Sequence, residues 1–115
     1  MVIRERAGDY RETPVQRVPP PFWIYMNTTE ILQERGKRYG TFINHAEISQ
    51  DLKSMINEHL NIRQKTLAPD QQESLDMICH KIARIINGDQ DYVDSWIDIA
   101  GYAQLIADRL QGVER

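Results

Sequence analysis

The chain has 115 residues, of which 41% are hydrophobic and 27% are charged, and its formal net charge is -3. This length predicts one domain, and this composition is typical of a soluble globular protein. The acidic balance argues against nucleic-acid binding through phosphate contacts, which needs a clustered basic surface. No apolar run approaches the ~20 residues of a membrane span. We therefore expect a cytoplasmic protein with no membrane or nucleic-acid partner.

The first 26 residues differ in character from the rest of the chain. They are rich in charge and then reach three consecutive prolines at 19–21, which remove three backbone donors and favour an extended segment. We expect the aromatic side chains that follow to dock on the helical body or on a neighbouring subunit, a disordered arm being the alternative. These side chains are Phe22, Trp23 and Tyr25. The chain thus divides into an extended or partly disordered arm, 1–26, and a helical domain, 27–112.

The helical domain begins with a short helix. Asn27-Thr28-Thr29-Glu30 has the pattern of a capping box, in which the first and last side chains satisfy each other's backbone amides. We expect this helix to end at Gly36. The stretch RGKRYGTF then predicts a turn-rich link in which Gly36 and Gly40 adopt positive φ.

Two longer helices are predicted next. An apolar stripe at helical spacing places the second helix from about Asn44 to Asn61. Pro69 suits the first position of the third helix, and Asn87-Gly88 is a strong end signal. Cys79 lies on the apolar face of the third helix, so we expect it in the core. As the single cysteine it excludes an internal disulfide and a multi-cysteine zinc site.

The fourth helix is predicted from about Tyr92 to Leu110. Its buried side is expected to consist of Val93, Trp96, Ile99 or Ala100, Ala103, Ile106 and Leu110. No segment shows the period-two alternation of a strand. The sequence therefore predicts an all-α fold, a compact helical bundle of three main helices plus one short N-terminal helix. The apolar stripes are wide for so small a chain, which favours a homodimer or a higher homo-oligomer.

A short link joins the third and fourth helices, so they should pack as an antiparallel hairpin. In such a hairpin, Lys81 or His80 lies level with Asp98, and Arg84 lies level with Asp94 or Ser95. Two interpretations remain open. The charges form interhelical salt bridges, or Asp94 and Asp98 hold Mg²⁺ or Mn²⁺ while His80, Lys81 and Arg84 bind a phosphate.

The remaining histidines give a weaker signal. His45 and His59 lie on the second helix without metal-ligand partners at short spacing. Surface or core roles are expected for both.

Three segments carry a resemblance to a known family: ERGKRYGTF at 34–42, HKIARIINGD at 80–89 and DSWIDIAGYA at 94–103. Together they resemble a family of small phage and prophage proteins of unknown function. That family is distantly similar to nucleotide-modification-associated helical domains and to all-α nucleoside triphosphate pyrophosphohydrolases of the MazG and dUTPase type. The resemblance implies that the protein is located in the cytoplasm of a phage-infected or lysogenic bacterium.

The resemblance also implies site residues. Tyr39 or Tyr102 would line a base pocket, beside a divalent cation held by acidic pairs on neighbouring helices. This chain departs from that pattern, because its fourth helix carries Asp94-x-x-x-Asp98 in place of Glu-x-x-Asp.

Two functions follow as hypotheses. The first is a nucleotide-binding protein that, in its catalytic form, hydrolyses nucleoside triphosphates with the help of a divalent metal. The second is a non-catalytic phage accessory or interaction protein, for example an inhibitor of a host factor. It would use the N-terminal arm and the helix faces.

Overall fold

The computed structural model describes residues 27–115, which form four α-helices. Their bounds are Thr28–Tyr39 for α1, Phe42–Ile62 for α2, Pro69–Asn87 for α3 and Val93–Leu110 for α4. Between residues 27 and 115 there is no strand, and the predicted all-α fold is confirmed. No helix in this range is long and apolar enough to cross a membrane. The aromatic side chains Phe22, Trp23 and Tyr25, predicted to dock, lie outside the described residues.

The start of α1 follows the sequence, but its end does not. Asn27 Oδ1 accepts from the amide of Glu30 at 2.8 Å, and the Glu30 carboxylate accepts from the amide of Asn27 at 3.3 Å. The capping box is thus confirmed. The predicted end at Gly36 is wrong, because α1 continues to Tyr39. Glycine costs about 1 kcal/mol inside a helix, and an Arg38–Glu34 ion pair one turn apart helps α1 to continue past it.

The two longer helices begin close to their predicted positions. The α2 helix starts at Phe42, two residues before the expected Asn44. Pro69 is the first residue of α3, where the missing N–H costs nothing. The amide of Ala68 donates to Gln71 Oε1 at 2.9 Å, which satisfies one of the free donors at this helix start.

A contact between two turns fixes α1 against α3, and we call it the turn clasp. Asn87 Nδ2 donates to the carbonyls of Tyr39, at 2.8 Å, and of Thr41, at 2.9 Å. The amide of Asp89 donates to the Arg38 carbonyl at 2.7 Å. The clasp therefore joins the α1–α2 turn to the α3–α4 turn, two segments about 50 residues apart in sequence.

The centre of the fold is α3, which packs against both α2 and α4. The described residues bury only two hydrophobic side chains, those of Cys79 and Ala83, which are 3% and 0% exposed. The prediction that Cys79 is a core residue is confirmed. Ser74 and Ser95 are buried too, so the helices approach each other over small side chains.

The predicted buried side of α4 is mostly wrong. Val93, Trp96, Ala100, Ala103 and Leu110 are exposed, and only Ile99 and Ile106 of the predicted set are partly covered. Ser95, Asp98 and Asp108 are buried instead. The periodicity located an apolar stripe correctly, but the polar face turns inward, where salt bridges and a hydrogen bond satisfy Asp98 and Asp108. The apolar stripe therefore faces outward.

Candidate functional site

A pocket of about 560 Å³ opens where α1, α2 and α3 meet beside the turn clasp. We call it the histidine–arginine pocket. Its lining consists of Leu32, Arg35, Gly36, Tyr39, Gly40, Thr41, Phe42, His45, His80 and Arg84. Among residues 27–115, no carboxylate belongs to this lining. A pocket of this size falls within the range that holds small-molecule ligands.

Two histidines form the inner wall of the pocket. His45 Nε2 lies 3.2 Å from His80 Nδ1, and the rings meet edge to face with centroids 4.5 Å apart. His45 is 7% exposed, and its Nδ1 is buried with no hydrogen-bond partner. The pair spans α2 and α3, so the 3.2 Å contact ties the second helix to the central one.

The hydrogen-bond pattern assigns the tautomers of the pair. A buried N–H without a partner is rarer in proteins than a buried acceptor without one. We therefore assign the proton of His45 to Nε2, which donates to His80 Nδ1 and leaves the buried Nδ1 as a bare lone pair. In this tautomer His80 carries its proton on Nε2, the ring nitrogen outside the pair. The pocket then has an imidazole donor beside its arginines.

Both histidines are neutral at pH 7. Burial, followed by the nearby Arg84, His45, Lys81 and Lys53, lowers the pKa of His80 to about 4. Burial, followed by the charge of Arg84, also lowers the pKa of His45. These cationic neighbours disfavour a positive charge on either imidazole ring, so the pair acts as a neutral hydrogen-bonding unit.

Arg84 is held by an aromatic ring. Its guanidinium carbon lies 4.2 Å from the ring centroid of Tyr39, and Arg38 lies 4.8 Å from the ring centroid of Tyr92. The two tyrosine rings meet edge to face at 6.1 Å. Within residues 27–115, Arg84 makes no salt bridge. A stacked arginine keeps its edge donors for a planar or tetrahedral anion.

The charged hairpin contains one of the contacts predicted from its geometry. Lys81 Nζ lies 2.9 Å from Asp98 Oδ2, and both side chains are 12% exposed. Asp94 accepts from the Tyr92 hydroxyl at 3.0 Å and does not pair with Arg84 in any described salt bridge. Of the open interpretations, the interhelical salt bridge is therefore observed for Lys81 and Asp98.

A metal at this position stays a prediction. Within residues 27–115 no three His, Cys, Asp or Glu side chains are grouped as metal ligands would be. Because Lys81 already neutralises Asp98, Mg²⁺ or Mn²⁺ bound by Asp94 and Asp98 would have to displace the lysine.

The predicted site residues divide into three places. Tyr39, His80 and Arg84 lie together in the histidine–arginine pocket. Lys81 and the two aspartates lie outside its lining. Tyr102 lines a different cleft, of about 500 Å³, with Glu73 and residues of the α4 end. Of the two tyrosines considered for the base pocket, Tyr39 is the one that lies beside His80 and Arg84.

Sequence reasoning missed His45, the most buried polar residue of the pocket. A surface or core role was expected for His45, but its contact with His80, 35 residues further along the chain, was not predicted. One signal was present: His45 shares a helix face with Ser49 and Leu52, the face that α2 turns inward. A histidine on a buried face needs a hydrogen-bond partner on the neighbouring helix.

Most of the chain matches a known protein family. Residues 25–110 match the family model "Domain of unknown function (DUF6378)". The chain belongs to the DUF6378 family. The match covers all four helices, the turn clasp and every residue that lines the histidine–arginine pocket. No curated protein and no solved structure matches the chain significantly.

The low pKa of His80 predicts how stability depends on pH. In the folded protein this pKa is about 4, against 6.5 for an unperturbed histidine. Between these values the unfolded chain binds a proton that the folded protein does not, so stability should fall as pH drops from 6.5 to 4. We expect His80 to account for about 1 kcal/mol of this loss, allowing for its partial exposure. Urea unfolding of the wild type and of His80→Gln at pH 6.5 and at pH 4 measures this contribution. Equal losses of stability in the two proteins would refute the prediction.

Proposed function

We propose that the chain binds a nucleotide in the histidine–arginine pocket, with Arg84 contacting a phosphate. The observation that carries this proposal is the state of Arg84. Its guanidinium is stacked on Tyr39 at 4.2 Å and has no salt-bridge partner within residues 27–115. Stacking fixes the orientation of the guanidinium in advance, which lowers the entropic cost of binding an anion.

The electrostatics of the pocket support an anionic ligand. Arg35 and Arg84 are its charged residues, both are cationic, and the two histidines are neutral donors or acceptors. Glu34, which is adjacent to Arg35 in sequence, pairs with Arg38, and Asp98 pairs with Lys81 outside the pocket. The pocket is therefore positive although the whole chain carries a net charge of -3. A local field of this sign attracts phosphate groups.

The apolar wall of the pocket supports a ligand with a planar ring. Phe42 and Leu32 line one side, and they are 72% and 60% exposed. An exposed aromatic face stacks on any nucleobase, a contact worth about 1–3 kcal/mol per base. Cationic donors beside such a wall fit a phosphate joined to a base better than they fit inorganic phosphate.

The resemblance to nucleotide-modification-associated and MazG-like domains is a second support for the nucleotide class. Hydrolysis of a triphosphate would require more than the pocket itself, because the candidate metal ligands Asp94 and Asp98 lie on α4 and outside the pocket lining. The proposal is therefore limited to binding, and the metal-dependent activity is a further step to be tested with it.

An interaction role is the second candidate. It is favoured by large hydrophobic side chains on the surface, such as Ile43 and Ile62, which are 74% and 66% exposed. Exposed apolar patches commonly mark protein–protein contacts. Under this hypothesis nucleotides have no effect on the protein, whereas removal of residues 1–26 weakens binding to the partner.

The test is a thermal-shift and calorimetric comparison of nucleoside mono-, di- and triphosphates, with and without Mg²⁺ or Mn²⁺. A ligand at 100 times its dissociation constant should stabilise the protein by about 2.7 kcal/mol, a rise of several degrees in Tm. Arg84→Gln should weaken binding about 10- to 100-fold, because it removes a charge-assisted contact to phosphate.

Arg63→Gln is the matched control. Arg63 is an exposed arginine at the end of α2 that contacts His59, away from the pocket. The substitution changes the charge and the side chain in the same way and should leave affinity unchanged. Equal affinity of the two variants would place the ligand elsewhere, and the absence of any nucleotide effect on the wild type would refute the proposal.

A further inference from the structure

The outward face of α4 carries a regular apolar stripe, which we call the α4 seam. It consists of Val93, Trp96, Ala100, Ala103, Ala107 and Leu110, all exposed. The intervals between them alternate between three and four residues along the whole helix, which is the spacing of the core positions of a coiled coil. The fully buried residues of the same helix are polar: Ser95, Asp98 and Asp108. The helix thus leaves the apolar seam exposed, and at Ala103 the seam borders a groove shared with α3.

We propose that the α4 seam packs antiparallel against the α4 seam of a second copy of the chain, forming a two-fold symmetric dimer. The seam positions are symmetric about the middle of the helix, between Ala100 and Ala103. In an antiparallel pair, Val93 therefore lies level with the partner's Leu110, and Ala100 with the partner's Ala103. Trp96 lies level with the partner's Ala107.

The side-chain sizes fit this arrangement. The large Trp96 ring faces a small alanine of the partner, and alanines meet alanines at the centre, where the helices can approach closely. Trp96 Nε1 donates to the carbonyl of Gln90 at 2.9 Å, so the only polar atom of its ring is satisfied and the ring is held in place. The exposed part of Trp96, 54% of the residue, is thus an oriented apolar surface.

The charges around the seam allow two identical surfaces to meet. The residues that flank the seam on either side are uncharged: Ile97, Ile99, Gln104 and Ile106. Among the α4 residues of the contact, a second copy therefore meets no like charge, and antiparallel packing also aligns the helix dipoles favourably. A partner that is itself strongly charged would find no complementary charges on these flanks.

The area is sufficient for a specific contact. Val93, Trp96 and Leu110 are 59%, 54% and 62% exposed. Together with the three alanines of the seam and the residues that flank it, these side chains would bury roughly 1,000 Å² of surface over both copies. This is the lower limit for a specific interface. The helix contributes no residue to the histidine–arginine pocket, so this inference does not depend on the proposed nucleotide binding.

The test is sedimentation equilibrium of the full chain at about 100 µM, a concentration suited to a micromolar interface of this size. We expect a dimer. Ala103→Glu places two carboxylates near the two-fold axis of a dry contact and should weaken the dimer at least about 100-fold. Gln50→Glu adds the same charge at an exposed position of α2 and should leave the dimer intact.

A cross-linking experiment tests the orientation. Ala100→Cys and Ala103→Cys are prepared separately, and Cys79 is buried, which limits its side reactions. In the antiparallel pair a cysteine at 100 faces one at 103 of the partner, so oxidation of a mixture should yield more covalent dimer than either variant alone. A parallel pair would give the opposite result.

Two outcomes would overturn the inference. The first is a wild-type monomer at this concentration, and the second is an Ala103→Glu variant that dimerises as strongly as the wild type. If Ala103→Glu fails to fold, Leu110→Glu at the edge of the seam replaces it under the same criterion.

Discussion

Gly40→Ala is expected to destabilise the fold by about 3 kcal/mol or more. Gly40 has φ of 75° and ψ of -168°, a region that is open essentially to glycine alone. A Cβ at this position would lie 2.3 Å from the carbonyl oxygen of Asn87 and 2.6 Å from its side-chain nitrogen. Backbone strain and a clash with the turn clasp therefore act together.

Gly36→Ala is the control, at a glycine four residues earlier in the chain. A Cβ there meets nothing within 4 Å, and the residue lies inside α1. We expect this change to stabilise the protein by about 1 kcal/mol, the difference in helix propensity between alanine and glycine. Urea unfolding monitored by circular dichroism measures both variants. Similar effects of the two substitutions would show that the turn clasp does not hold the fold as described.

The turn clasp also positions the pocket. It fixes the end of α1, and with it Tyr39, over the α3 residue Arg84. A variant that loosens the clasp should therefore lower both stability and ligand affinity. Gly88 lies on the other side of the turn clasp, in the α3–α4 turn. A Cβ there would lie 2.2 Å from the Arg38 carbonyl oxygen. Both glycines thus allow two backbone segments to approach to hydrogen-bonding distance.

The sequence predicted the helices well, because their signals are local. The capping box at Asn27, the proline at the start of α3 and the end of α3 at Asn87 each depend on neighbouring residues. The end of α1 was predicted wrongly for a related reason. Gly36 carries the usual end signal, but the residue that ends the helix is Gly40, and its role depends on Asn87 from another turn.

The candidate site could be predicted only in part. His80, Arg84 and Tyr39 were named, and the contact of Lys81 with Asp98 followed from the register of a short hairpin. The pairing of His45 with His80 depends on how α2 packs against α3, which no local pattern specifies. The inward turn of the polar face of α4 was also unpredictable, because hydrophobic periodicity locates a stripe without showing what covers it.

Asp98→Asn is expected to cost about 3 kcal/mol of stability, because it breaks a largely buried ion pair. The Lys81 ammonium lies 2.9 Å from the Asp98 carboxylate, and both side chains are 12% exposed. Without the carboxylate charge, the ammonium of Lys81 is largely buried and has little solvent to compensate it. Leaving one charge of a buried pair uncompensated is strongly destabilising. Replacing both residues should cost less, so Lys81→Met combined with Asp98→Asn is expected to recover part of the loss.

Asp70→Asn is the matched control. Asp70 also pairs with a basic residue of a neighbouring helix, since its two oxygens accept from Arg109 at 2.7 Å, but these side chains are 40–44% exposed. Solvent screens an exposed pair, so the same substitution there should have a much smaller effect. The comparison separates the contribution of burial from that of the amide substitution itself.

The same variant decides between the two roles considered for Asp98. If the carboxylate serves the salt bridge, Asp98→Asn loses stability equally with and without Mg²⁺, and the double variant shows a coupling energy with Lys81. If the carboxylate holds a cation, the wild type should be stabilised by Mg²⁺ or Mn²⁺ and the variant should not. A stability loss below about 1 kcal/mol together with a loss of metal-dependent nucleotide binding would assign Asp98 to a metal site. Lys81 would then have to leave Asp98 when the cation binds.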